Sequence, residues 1–375
     1  MDEWLIDSDR LSLERKSVLP GEGFFRPDDV QQAQREQEAA ESLAGAETVV
    51  VADPDADGLA CVALVRATHG EAALVPASPH DLERRLAWVA EYLEPDADVY
   101  VCDLCPDRES DLAALDALAE RAGSVRWFDH HQWNDDLAEI VEDAGIDLVV
   151  GESDEECSAD VALRELDQDF SELLVDLVAA TRDHDLWIRE DPRSDDLADF
   201  SYWSEPEYYL EVVTEHGADL SPAAQDFLAE RRVEKEALIE KAVERAQLRE
   251  VGPWTVGVTY GRCSQNEVAE ALREQGADAA VIVKPAGSAS LRGTEGFERC
   301  HEVAEQVNGG GHPRAAGCKP DVYDDMLDYA HHWTTRGAVA KQAIVDSFRR
   351  LEWEDAAGDV PEEDGVYDDR DDSDQ

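Results

Sequence analysis

An α/β protein of two domains is predicted: a mainly parallel open sheet, joined by a helical connector to a smaller α/β domain. Three observations predict it. Between residues 47 and 181 short apolar runs alternate with amphipathic stretches, as βαβ units do. A charged, strongly helical stretch at 221–250 interrupts that alternation, and a second, shorter alternation runs from 254 to 319. The 375 residues suffice for two ordinary hydrophobic cores.

Taken in order, residues 1–46 read as a helical extension and 47–215 as the first domain. Its candidate strands are 48–52, 73–75, 99–102, 125–128 and 147–150, with helical patterns between them, for example 82–93 and 111–122. Helices should cover both faces of such a sheet. The connector is placed at 216–250 and the second domain at 251–351, where a helical pattern continues through Trp333 and Phe348. Residues 352–375 hold 12 acids against one Arg and are expected to be disordered. No internal repeat is visible.

Composition narrows the function classes. No apolar run approaches the roughly 18 residues of a membrane span. Asp2, Glu3 and Asp7 give the N-terminus the wrong charge for a secretory signal, so a soluble, cytoplasmic protein is expected. The seven cysteines are scattered and odd in number, which argues against a disulfide framework. Cys102 and Cys105 have CxxC spacing but no second pair at zinc-site distance, and read as strand-end core thiols. The formal charge is −56, from 89 acidic against 33 basic residues, of which only 6 are Lys. Such a surface repels itself at ordinary ionic strength, and molar salt screens that repulsion. The composition resembles that of proteins from salt-accumulating halophiles. An acidic interaction protein or nucleic-acid mimic is the rival reading, but the acid is spread rather than concentrated.

Three apolar strands end in acid. Val49–Val51 and Ala52 run into Asp53, Asp55, Asp57 and Gly58; Val99–Cys102 into Asp103; Val125–Phe128 into Asp129, His130 and His131. In an open parallel sheet the carboxyl ends of strands share one edge, and ligands bind there. Four or five carboxylates and two imidazoles converging on that edge require a cation. Mixed carboxylate and imidazole ligands suit Mn²⁺ or Mg²⁺, and two such ions can clamp a phosphoryl group and activate water. With 89 acids in the chain, Asp53-x-Asp55-x-Asp57 alone carries little; its position after a strand and before Gly58 carries more. Asp129-His130-His131 directly after a strand is harder to obtain by accident.

A second signal is Asn308-Gly309-Gly310-Gly311-His312-Pro313-Arg314-Ala315-Ala316-Gly317. Successive glycines let backbone N–H groups approach a phosphate, and His312 and Arg314 can add polar or charged contacts. Residues 251–320 hold 7 basic and 8 acidic residues, so an anionic substrate is least repelled there.

These motifs resemble those of the DHH phosphoesterases, which include RecJ-type exonucleases, oligoribonucleases, cyclic-dinucleotide phosphodiesterases and some polyphosphatases. Asp53–Gly58 is similar to the first motif in its RecJ-like DxDxDG form, Asp103 to the second, and Asp129-His130-His131 to the signature that names the family. Asp183, after a helix, matches the fourth motif, and Asp185 is the alternative for the same position. The glycine-rich stretch resembles the GGGHxxAAG element of the C-terminal domain that accompanies many such proteins. Arg262 with Cys263–Asn266, and Ser290-Leu291-Arg292, also fit that domain. The resemblance covers most of 47–319. It implies Asp53, Asp55, Asp57, Asp103, His130 and Asp183 around two Mn²⁺ or Mg²⁺ ions, with Asp103 bridging. It implies Asp129 orienting His130, and His131 facing the substrate phosphate. Arg262, Ser290, Arg292, Gly309, Gly310, Gly311, His312 and Arg314 would bind substrate. A RecJ-like exonuclease on single-stranded DNA or RNA is the first expectation. A phosphodiesterase or phosphatase for short oligonucleotides or nucleotides is the second. A catalytically silent nucleic-acid-binding subunit of a replication or repair assembly is the reading from another class.

Overall fold

The computed structural model describes residues 28–79 and 81–351. The first 27 residues of the expected extension and the acidic tail at 352–375 lie outside the described residues. Two compact units divide at Leu238 and Ile239.

In the first unit, α1 (Asp28–Leu43) precedes β1 (Thr48–Ala52), α2 (Ala56–His69), β2 (Ala73–Pro76), α3 (Leu82–Tyr92) and β3 (Asp98–Cys102). Then come α4 (Leu115–Arg121), β4 (Ser124–Asp129), α5 (Asp135–Asp143) and β5 (Asp147–Val150). Helices α6 (Ser158–Glu165), α7 (Glu172–Asp185), α8 (Ser194–Trp203) and α9 (Pro206–His216) follow. The five strands form one sheet in the order β2-β1-β3-β4-β5, every pairing parallel. All five expected strands are present, and the α/β class holds.

Side-chain alternation along the strands divides the core in two, as the pleat demands. Val50, Ala52, Tyr100, Cys102 and Phe128 face α2, α6, α7, α8 and α9. Val49, Val51, Val99, Val101, Val125 and Trp127 face α3, α4 and α5, with Leu43 of α1. Helix α2 is buried along nearly its whole length, which accounts for its apolar run Leu59–Val65. The expected helix at 111–122 is broken. A 3₁₀ turn at Glu109–Leu112 comes first, because the Asp111 carboxylate accepts from the backbone N–H groups of Asp107 and Arg108.

Helix α10 (Pro222–Glu244) follows, and residues 247–250, expected in the connector helix, instead belong to strand β6 (Gln247–Val251). Gly252, at φ 61°, turns the chain so that β6 pairs antiparallel with β7 (Trp254–Tyr260). The remaining elements are α11 (Gln265–Glu274), β8 (Ala279–Val283), β9 (Ala289–Gly293), α12 (Cys300–Glu305), β10 (Gly309–Gly311), β11 (Ala315–Cys318), α13 (Met326–Thr335) and α14 (Ala338–Arg350). The sheet order is β10-β11-β9-β8-β7-β6, with β7 and β8 parallel and the other pairs antiparallel. One face packs on α12 and α14, and the other on α11 and the end of α10. All seven cysteines are free thiols, with Cys102 buried and Cys105 half-buried. No helix among the described residues is long and apolar enough to cross a membrane.

Candidate metal centre

Strand register assembles the site. Ala52 pairs with Cys102, and Cys102 with Phe128, so Asp53, Asp103 and Asp129 are the next residues of three neighbouring strands. Asp55 caps α2, its carboxylate accepting from the backbone N–H groups of Asp57 at 2.9 Å and Gly58 at 3.1 Å. Gly58 has no freedom to be larger, since a Cβ there would collide with the Asp53 carbonyl oxygen. Asp57, in the first turn of α2, is buried and accepts from Ser158 N at 2.7 Å and Ala159 N at 2.9 Å. It thereby ties the start of α2 to the start of α6, where N–H groups have no helical acceptor.

Asp103 is buried and left-handed, at φ 58°. Its carboxylate accepts from Ser158 Oγ at 2.9 Å. Asp129, fully buried, receives His131 Nδ1 at 2.7 Å, His130 N at 2.9 Å and Trp133 Nε1 at 2.7 Å. The Asp129 carboxylate thus orients the ring of His131, whereas the resemblance implied that it would orient His130. It touches His130 only through the backbone. The His130 ring instead lies with Nε2 3.2 Å from Asp185 Oδ2 and 3.9 Å from Asp103 Oδ1.

Asp185 rather than Asp183 is brought to this group. The Asp183 carboxylate accepts from Glu190 N at 2.9 Å, and its carbonyl oxygen accepts from the N–H groups of Ile188 and Arg189. Asp183 holds the loop that leaves α7. Two overlapping sets of potential ligand atoms result, Asp103 with His130 and His131, and Asp57 with His130 and Asp185, each spanning no more than 4.8 Å. Asp53 and Asp55 border them. Sequence reasoning missed Ser158 and Trp133. The start of a helical pattern after Cys157 signals the first, and nothing local signals the second.

The electrostatics describe an anionic site in need of a cation. Burial, then the charges of Asp55 and Asp57, raise the Asp103 carboxyl well above the usual carboxylate range. Burial, then Asp57 and Asp55, push Asp185 up to about 8. Desolvation, then the charge of Asp57, also raises the Asp55 carboxyl, an effect that is damped because the residue is exposed to solvent. Burial alone would lower His131 and raise Asp129. Their mutual hydrogen bond outweighs it in both, lifting His131 to about 9 and holding Asp129 below its ordinary value. His130 Nδ1 and Asp185 Oδ2 are buried with no hydrogen-bond partner. Unpaired acceptors among mutually repelling carboxylates fit divalent cations. Beside them lies a cavity of about 190 Å³, lined by Asp55, Asp57 and Asp185 together with Pro54, His184 and Tyr202.

No family model and no curated protein matches the chain. Solved structures do. The DHH domain of a member of the s1p family of ribosomal proteins matches with a TM-score of 0.55 at 14% identity, covering 91% of this chain and 97% of that one. The chain has the fold of a DHH domain. The exonuclease RecJ bound to manganese matches with a TM-score of 0.51 at 18% identity, over 89% of this chain and 98% of that one. RecJ from Thermus thermophilus in complex with Mn²⁺ matches with a TM-score of 0.52 at 16% identity, over 90% of this chain but 56% of its own length.

Within the second unit, some of the residues expected to bind substrate share one sheet face. Ser290 pairs with Gly317, and Gly317 with Gly310, so these three present the same face. Ser290 Oγ donates to Gln265 Oε1, and Arg292 Nε to Asn266 Oδ1 at 2.8 Å, both acceptors in the first turn of α11. Arg262 is half-buried just beyond β7. Gly309 packs against the Gly317 carbonyl and Cys318, and Gly311 has φ 134°, so both are needed for the hairpin itself. Gly310 faces open space. His312 is exposed in the turn, and half-exposed Arg314 lies 3.5 Å from Glu298.

Proposed function

We propose that the chain is a metal-dependent phosphoesterase that removes nucleotides from the end of a single-stranded nucleic acid, as RecJ-type exonucleases do. The observation that carries this reading is the His130-centred pair of ligand sets at the carboxyl edge of the parallel sheet. Asp57, Asp103, His130 and Asp185 would hold two Mn²⁺ or Mg²⁺ ions, with Asp53 and Asp55 bordering them. When bound, such ions offset the carboxylate charge, activate water and stabilise a leaving oxygen. In the metal-free fold Asp129 orients the His131 ring and raises its pKa to about 9, and the exposed edge of that ring would face a phosphate. Manganese in two RecJ structures of the same fold supports the metal assignment. The small cavity beside the carboxylates supports action at a chain end rather than within a duplex. Gly310, Ser290, Arg292 and Arg314 would line the substrate face of the second unit.

The test is digestion of end-labelled substrates, from dinucleotide to long single strand, with Mn²⁺, Mg²⁺ or excess EDTA. Activity should require the metal and fall by orders of magnitude in Asp103→Asn and His130→Ala. Full activity in EDTA, or in both variants, would discard the proposal. Preference for the shortest substrates would favour the phosphodiesterase reading over the exonuclease.

A further inference from the structure

Basic residues are scarce in this chain, 33 against 89 acids, and many are committed to carboxylates. Arg66, Arg85, Arg126, Arg193 and Arg232 each sit within 4 Å of an acid. Four of those with no carboxylate partner lie together. Arg245, between α10 and β6, Arg249 on β6, Arg336 at the end of α13 and Lys341 in α14 make no ion pair with any described residue. Tyr260 gathers them: the β6–β7 register carries Arg245 toward it, and Gly337, next to Arg336, packs against its ring. Burial, then Arg249, Arg336 and Arg245, lower the Lys341 ammonium to about 8. Lys341 Nζ lies 5.7 Å from the centre of the Tyr260 ring, which also feels Arg245. Arg336 is held left-handed, at φ 52°, and the next residue, Gly337, opens α14, whose first turn carries no acid. That helix start adds its own positive end to the cluster.

Such an arrangement needs a reason in a chain with 89 acids and a charge of −56. Residues 239–351 carry 14 basic and 16 acidic residues, a net of only −2. The acids of this unit could have been placed against these cations, and they are not. Four adjacent cations without a counter-charge raise the energy of the free protein, and an approaching polyanion relieves it. Position identifies which polyanion. Arg249 lies on the β6 edge, opposite the β10 edge that carries Gly310. At ordinary strand spacing the two edges are on the order of 24 Å apart.

We propose that Arg245, Arg249, Arg336 and Lys341 form a second anion-binding patch, which holds the phosphodiester backbone of a single strand several nucleotides away from the part that crosses the β10–β11 hairpin. The patch rests on the nucleic-acid reading above and makes it specific: long strands engage both edges of the sheet, and dinucleotides engage one. Each Gln substitution here removes a repelled charge, so the variants should fold at least as well as the parent.

The experiment uses the full chain without metal, binding a labelled long oligothymidylate, over salt concentrations at which circular dichroism shows the fold intact. Arg245→Gln, Arg249→Gln, Arg336→Gln and Lys341→Gln combined should weaken binding by about tenfold or more. They should also reduce the slope of log affinity against log salt by about 2–3. Hydrolysis of a dinucleotide with Mn²⁺ should be unchanged, and the charge-keeping Arg249→Lys, Lys341→Arg pair should bind as the parent does. Unchanged affinity and slope in the folded quadruple variant, or no binding by the parent, overturns the patch. Loss of dinucleotide hydrolysis overturns its role as a site for longer strands alone. A parent that binds through the patch but hydrolyses nothing leaves the patch standing and defeats the nucleolytic reading.

Discussion

Asp183 and Asp185 are two residues apart on α7, hence about 200° apart around it. One meets His130 and the other holds a loop. Asp185→Asn is therefore expected to weaken Mn²⁺ binding at least tenfold by calorimetric titration. Asp183→Ala should leave metal binding near normal and cost about 1–2 kcal/mol of stability in a urea melt, through the orphaned Glu190 N–H. The reverse pattern would reinstate Asp183. Sequence places an acid near a helix end but does not say which way it points, so it left Asp183 and Asp185 as alternatives. Acidity supplies a second test at this scale. In the metal-free fold Asp185 keeps its proton up to about pH 8, whereas an unfolded Asp releases it near pH 4. Between those values the folded state binds more protons, so stability should fall as pH rises through the window. Melting in EDTA should be lower at about pH 8 than at about pH 5, and saturating Mn²⁺ should flatten the difference. Identical melting at both pH values in EDTA would remove the case for crowded carboxylates.

Among the elements, the β10–β11 hairpin separates building from binding. A side chain at Gly309 would meet Cys318 Cβ at 2.5 Å, so Gly309→Ala should destabilise by about 1–3 kcal/mol. Gly310→Val has room, and should fold while raising KM for substrates that cross the hairpin. If Gly310→Val leaves KM unchanged for every substrate length, the hairpin is scaffold only. The parallel sheet was readable because its central strands β1 and β3 are compact Val-rich runs buried along nearly their whole length. Strand β6 was not, since Gln247, Arg249 and Glu250 on an edge strand look like the helix before them. The one local cue was Gly252-Pro253. The ring orientation of His131 was hidden for another reason: it depends on a carboxylate and an indole that only tertiary packing brings together.

For the whole molecule, charge governs stability. The acid is unevenly shared, because residues 239–351 account for only −2 of the −56. Below about 0.5 M salt, unscreened repulsion should unfold the chain, and the first unit should open before the second. Hydrogen exchange during stepwise dilution would show protection lost first in β1–β5. Simultaneous loss in both units, or a melt that ignores salt altogether, would count against surface repulsion as the controlling force.

The backbone at Asp103 constrains how this chain can change over generations. At φ 58° the position tolerates Asp, Asn or Gly, and penalises other residues by about 1–2 kcal/mol. Glu would keep the charge and strain the main chain; Asn would keep the main chain and lose the charge. Descendants that abandoned the chemistry but still needed the fold should therefore accumulate Asn or Gly at this position, and seldom Ala or Glu. A single codon then becomes a readable record of whether a lineage kept its catalytic role.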